Sequence, residues 1–263
     1  MFLLPAVFAG SSADNLNILH NMLPLSPYVC CSNYQHVVSV LDRLLFNNSL
    51  GNILSGRYDQ MIALCDAPYT GWKSFLGGVT IVPNRKDVLL SIPVNNFSLP
   101  SGWAQYDDLG HDLPFWIEKT GEKRVMLVSQ DPLRRGQGPS FITLSSPFGM
   151  HSIDYRGNRV MTQVVGRLLQ DGISIYLTDF CKLYGKQNGK PADFSALNTV
   201  FENIIQEEVD FFKPCAVVSV GQVAKTALKN MSSLRVKKLH VPHPNARFKD
   251  KVKYMVSEIE CNL

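Results

Sequence analysis

The amino-acid sequence predicts an α/β fold: an open, mostly parallel four-stranded sheet flanked by helices over residues 116–263, preceded by an α+β extension over residues 1–115. Three observations predict it. Short, continuous apolar runs such as "VMLVS" and "CAVVSV" have the length and content of strands covered on both faces. Between them lie longer segments whose apolar residues recur at helical spacing. Strands separated by helices, rather than by tight turns, argue for parallel pairing through crossover connections.

In the extension, "YQHVVSVLDRLLFNN" (34–48) has helical spacing, and "GVTIVPNRKDVLLSIPVNN" (78–96) reads as two strands about a polar turn from Asn84 to Asp87. Proline and glycine are dense from Pro100 to Pro114, which reads as a connecting loop. The core opens with the strand "KRVMLVS" (123–129). The helix "NRVMTQVVGRLLQDG" (158–172) sets Val160, Val164, Leu168 and Leu169 on one side, with Gly172 as its stop. "ISIYLTDF" (173–180) is the next strand. "DFSALNTVFENIIQEEVDFFKP" (193–214) is a long amphipathic helix, with Asp193 as N-cap and Pro214 just beyond its end. "CAVVSVG" (215–221) is a third strand, followed by the short helix "QVAKTALKNM". "KKLHVPHPN" (237–245) ends a fourth strand in a proline-bounded loop, and "KDKVKYMVSEIE" (249–260) is a closing helix.

Composition sets the bounds. With 263 residues, 45% of them apolar, the chain can bury a sizeable core. The formal net charge of +4 allows a local basic face without demanding a nucleic-acid partner. The six cysteines are Cys30, Cys31, Cys65, Cys181, Cys215 and Cys261. No CxxC pair occurs, and adjacent Cys30 and Cys31 cannot readily bridge, so reduced structural thiols in a cytoplasmic (or, in a eukaryote, nuclear) protein are expected. The apolar start "MFLLPAVFA" has no Lys or Arg ahead of it and is interrupted by Pro5, so it is not expected to act as a secretory signal. No run approaches the ~20 apolar residues of a membrane span, and no membrane partner is expected. No phosphate-binding GxxxxGK[ST] or GxGxxG follows a strand, which weighs against a nucleotide-binding protein.

Open parallel sheets bind ligands beyond the carboxyl ends of their strands. Those ends read QDP, TDF, VGQ and HPN. The ordered set "SQDP…SPFGM…IYLTDF…PCAVVSVGQVAKTAL…HVPHPNARF" resembles the uracil-DNA glycosylase superfamily over residues 123–260, a little over half the chain. Gln130-Asp131-Pro132 is similar to the first motif of the branch without an iron–sulfur cluster. Pro147-Phe148 is similar to a Pro-Phe pair of the iron–sulfur branch, Leu177-Thr178-Asp179 stands where that branch has Ile-Thr-Asn, and His243-Pro244-Asn245 stands where the family has His-Pro-Ser.

The resemblance implies roles. Asp131 and His243 would be catalytic: the carboxylate holds a water and stabilises positive charge on the sugar, and the imidazole N–H donates to the carbonyl oxygen of the departing base. Gln130, Phe148, Asp179 and Asn245 would bind the base, with Phe148 stacking on it. Arg134 and Arg135 would face phosphates, and Arg247 and Phe248 would fill the stack that the base vacates. Each has a plainer alternative from local sequence. Asp131 could form a turn, Phe148 could be core with Phe141 as the stacker, and both arginine segments could be solvated turns. His240 reads as strand packing. Lys182, Lys186 and Lys190, with Lys237, Lys238, Lys249, Lys251 and Lys253, would track phosphates if they share one rim.

Two departures stand out. Asp179 replaces an asparagine whose amide pairs with O4 and N3–H of uracil; an ionised aspartate offers acceptors only. It is protonated in a dry pocket, or reads a donor-rich base edge, or the pocket has lost uracil specificity. The iron–sulfur branch uses four spaced cysteines, whereas Cys181 falls two residues from the nearest family position and no second pair has cluster spacing. No cofactor and no metal are therefore expected. The expectation is a monofunctional glycosylase excising a deaminated base from DNA, uracil first. The alternative is a catalytically inactive glycosylase-like module that binds DNA, or a protein partner through the extension.

Overall fold

The computed structural model describes residues 40, 43–44, 90–93, 108–117, 121–132, 141–145, 147–149, 160–188 and 190–263. The chain begins, within these, with helical residues Val40, Arg43 and Leu44. Strands β1 (Leu90–Pro93), β2 (Asp108–Asp112), β3 (Phe115–Ile117), β4 (Arg124–Ser129) and β5 (Phe141–Ser145) follow. After a 3-10 turn at Pro147–Gly149 come α1 (Val160–Gln170), β6 (Ser174–Asp179), β7 (Tyr184–Gln187) and β8 (Lys190–Pro191). A second 3-10 turn at Ser195–Leu197 leads to α2 (Asn198–Phe212), β9 (Ala216–Val220), α3 (Gln222–Asn230), β10 (Lys237–Val241) and α4 (Lys251–Glu260).

The strands form two sheets. One has the order β10-β9-β4-β6-β3, its first four strands parallel and β3 antiparallel at the edge. This is the α/β architecture that the apolar runs predict, with helices flanking four parallel strands. Residues Val125–Ser129 of central β4 are buried throughout, which is why they read as an unbroken apolar run. The chain steps from β4 to β6 on one side, then back across to β9 and β10 on the other. Right-handed crossovers taken in opposite directions put α1 and α2 on opposite faces. On the α2 face, Trp116 stacks on Tyr176 with ring centroids 5.6 Å apart, and Tyr176 meets Phe212 at 5.2 Å. Such aromatic pairs contribute about 0.5–1.5 kcal/mol each beyond their burial. Arg124 ties the strand start to the same helix, donating from Nη1 to the carbonyl of Phe212 at 3.0 Å.

The second sheet, of order β1-β5-β2-β7-β8, is not legible in the sequence. It corrects the reading of Pro100–Pro114 as a connecting loop, because Asp108–Asp112 is a strand paired on both sides, parallel to β5 and antiparallel to β7. Backbone pairing rather than apolar alternation holds β2 in place. Gly110 lets Thr143 approach: a Cβ there would stand 3.0 Å from Thr143 Oγ1. Strands from either side of residue 115 share both sheets, and Val40 is buried while Arg43 pairs with Glu207 of α2 at 3.3 Å.

The long helix is also corrected at its start. Asp193 caps the 3-10 turn, accepting from Ser195 N–H at 2.8 Å, and α2 proper begins at Asn198. Its far end is as expected: Lys213 turns left-handed (φ 52) and Pro214 follows. Gly172 closes α1 with φ 77. The remainder of the proposed 34–48 helix and of the 78–96 strand pair lies outside the described residues.

Candidate active site

The chain reverses direction across the parallel sheet between β4 and β9, and the crevice above such a switch point is where open α/β sheets take ligands. Gln130 and Asp131 leave the end of β4 there. Gln130 donates from Nε2 to Asp131 Oδ2 at 3.1 Å, fixing the carboxylate's orientation. Asp131 is half-buried, and burial pushes its carboxyl above 3.8. The Gln130 hydrogen bond opposes that shift, the charge of Asp112 adds to it, and His243 opposes it.

His243 comes from the loop after β10 and lies over Gly221, at the end of β9. Gly221 has φ 93, and a Cβ added there would stand 3.3 Å from His243 Cβ. Glycine is thus required twice at this position, by backbone conformation and by the approach of the imidazole. The ring's Nδ1 accepts the backbone N–H of Asn245 at 3.2 Å. Burial lowers the His243 pKa from 6.5, opposed by the charge of Asp131. A neutral imidazole that accepts at Nδ1 carries its proton on Nε2, so the free edge of the ring is a donor. The loop is held by Ala246 N–H donating to the His243 carbonyl at 2.8 Å and by Lys251 Nζ donating to that of Pro244 at 3.0 Å.

The structure therefore brings Asp131, Gln130 and His243 into one electrostatic neighbourhood. Phe148 sits in the turn packed against β6, half-buried and in the left-handed region (φ 56). That conformation is uncommon for a bulky residue and costs of order 1–3 kcal/mol. Asn245 is exposed, and its described contribution is the backbone N–H to His243. Arg247 and Phe248 are exposed; Phe248 meets Tyr254 edge to face at 5.7 Å with Lys251 near its ring. Arg134 and Arg135 lie outside the described residues, as does the side chain of Phe141. His240 bonds Ser219 through Nδ1 at 3.1 Å, within the sheet.

Asp179 ends β6 and is 2% exposed. Ser129 donates its hydroxyl to Oδ1 of Asp179. Burial, and then the nearby charge of Asp112, push its carboxyl well above the usual carboxylate range. Cys181 just beyond is an inert thiol, raised by burial to about 12.

Lys182 is a correction to the expected phosphate-tracking rim. It is 1% exposed and pairs with Glu208 of α2 at 2.8 Å. Thr178 donates to the same carboxylate at 3.0 Å. A lysine so placed faces no solvent and cannot meet a phosphate. The other lysines of the closing segment, Lys249 and Lys253, are exposed.

Sequence reasoning missed Asp112, Ser129, Lys182 and Glu208 as one buried polar group. The chain crosses between the two sheets at Leu113–Pro114 and again at residues 180–183, and this group fills the junction. His111 marks it too, with Nδ1 at 2.5 Å from the Lys182 carbonyl. Polar residues in a short strand carry no apolar period, so no sequence signal separates them from a loop.

No protein-family model matches the chain, and no curated protein matches it.

Proposed function

We propose that the protein is a monofunctional DNA glycosylase of the uracil-DNA glycosylase type, hydrolysing the N-glycosidic bond of a flipped deaminated base, with uracil the first candidate. The observation that carries this reading is the pairing, across the switch point, of a half-buried carboxylate fixed by Gln130 with an imidazole whose donor edge is free.

Asp131, ionised, orients a water toward the sugar carbon and stabilises positive charge there as the C–N bond breaks. The bonding electrons leave with the base, and negative charge grows on its carbonyl oxygen. Nε2–H of His243 donates to that oxygen. Water adds to the sugar carbon, its proton passing to Asp131. Each such contact contributes about 3 kcal/mol to the transition state. Phe148 offers its ring as a stacking face, held out by its left-handed backbone. Arg247 and Phe248 enter the gap left by the base, and the exposed Lys249 and Lys253 favour phosphates.

The test uses labelled oligonucleotides carrying uracil, hypoxanthine or xanthine, followed by alkali. Strand scission on one of them that disappears in Asp131→Ala is expected. The exposed aromatic and basic segment 247–254 also favours a second reading, a non-catalytic DNA-binding module. Binding without scission on every base selects that reading and removes the first.

A further inference from the structure

We propose that Asp112 is a positioning residue that sets what this site reads: its carboxyl and that of Asp179 share one proton, which supplies a hydrogen-bond donor that two ionised aspartates would lack. The inference rests on the proposed role of Asp179 in facing the base.

The topology brings the two together. β2 ends at Asp112, and the chain passes through Leu113–Pro114 into β3, which pairs antiparallel with β6. Asp112 thereby arrives beside the end of β6, where Asp179 stands. The two are 3% and 2% exposed. Their carboxyls are within hydrogen-bonding reach of one another. Oδ1 of Asp179 takes the Ser129 hydroxyl, while Oδ2, fully buried, receives no N–H or O–H from the described residues.

Charge balance then decides the protonation. The cation beside Asp179 is Lys182, whose ammonium lies 3.0 and 2.8 Å from the two carboxylate oxygens of Glu208. Asp131 adds a further negative group, acting with Asp179 on the un-ionised Cys181 thiol. His111 is turned by its Nδ1 to the Lys182 carbonyl, and burial holds His243 toward its neutral form. Carboxyls outnumber cations, and two facing carboxylates in a buried site cannot both ionise. The retained proton gives the pair one O–H donor beside its lone pairs, the complement that an asparagine amide offers to a carbonyl and an N–H on a base. With the proton lost, the pair shows lone pairs only and repels a base carbonyl.

The experiment is a pH titration of the full-length chain, labelled with carbon-13 at aspartate side-chain carboxyls, by NMR. The Asp179 resonance is assigned by its loss in Asp179→Asn. In the wild-type protein an aspartate carboxyl is expected to remain protonated at neutral pH, and Asp112→Asn is expected to lower the Asp179 midpoint by about one unit or more. Asp112→Ser provides the same comparison should the asparagine variant fold poorly. Wild-type spectra with every aspartate ionised at neutral pH overturn the proposal, as does an unchanged midpoint in the variant. These readouts need no catalysis. A chain that titrates as expected but cleaves no oligonucleotide therefore loses the glycosylase reading and keeps the shared proton.

Discussion

Ser129 and Asp179 are register partners on adjacent parallel strands, and the Ser129 hydroxyl donates to the Asp179 carboxyl. The bond closes the ends of β4 and β6 and satisfies one of two buried oxygens. Ser129→Ala leaves that oxygen without its donor, which costs about 1–3 kcal/mol in a buried site. Urea unfolding measures it; a loss under about 0.5 kcal/mol contradicts the bond's role. Ser129→Thr, which keeps the hydroxyl, is expected to recover most of the loss.

Asp179 also fixes a pH dependence. Its folded-state pKa is raised above the ordinary 3.8, so the native state holds this proton more tightly than the unfolded chain. Its contribution to stability is therefore complete below about pH 3.8 and is lost as pH rises through the folded value. Asp179→Asn has nothing to titrate, so its melting temperature is expected to fall less than that of the wild type between acid and neutral or alkaline pH. Parallel curves for the two proteins would contradict the shift.

The same substitution tests base choice. An amide at position 179 presents a donor and an acceptor at every pH, so Asp179→Asn is expected to raise uracil excision relative to the wild type, most clearly on the alkaline side. The acid side belongs to Asp131, whose carboxyl must ionise and is raised from 3.8 by burial. Excision is expected to rise with pH through that titration in both proteins. Equal or lower uracil activity in the variant discards Asp179 as the determinant of base choice.

Gly221 predicts a coupled loss. Alanine there must hold φ 93 and push against His243. The backbone strain alone costs about 1–3 kcal/mol. Gly221→Ala is expected to lower thermal stability and, by moving the imidazole, to cut excision toward the level of His243→Ala, roughly a hundredfold. Undiminished single-turnover excision in a folded Gly221→Ala protein would remove His243 from the chemistry.

The Lys182–Glu208 pair predicts an asymmetry. Removing one partner leaves a buried charge uncompensated, at about 3–5 kcal/mol, whereas replacing both with apolar side chains is far milder. Lys182→Met and Glu208→Leu measured singly and together by denaturant unfolding test it, and additive single costs would refute the pairing.

The sequence by itself determined the parallel sheet, its helices and the strand ends that carry Asp131 and His243. β4, β6 and β9 are buried on both faces, so their composition is legible without knowing what they pair with. Gly172 and Pro214 bound their helices through backbone conformation, which is also local. The second sheet was not legible, because β2 has one large apolar residue, Leu109, and exists through its partners β5 and β7. Lys182 shows the same limit from the other side: a lysine near a strand end reads as solvated until a carboxylate 26 residues on is found against it. The tertiary structure alone decided where Asp112 falls. The proximity of two carboxyls 67 positions apart in sequence depends on how two sheets join, and no local pattern encodes that.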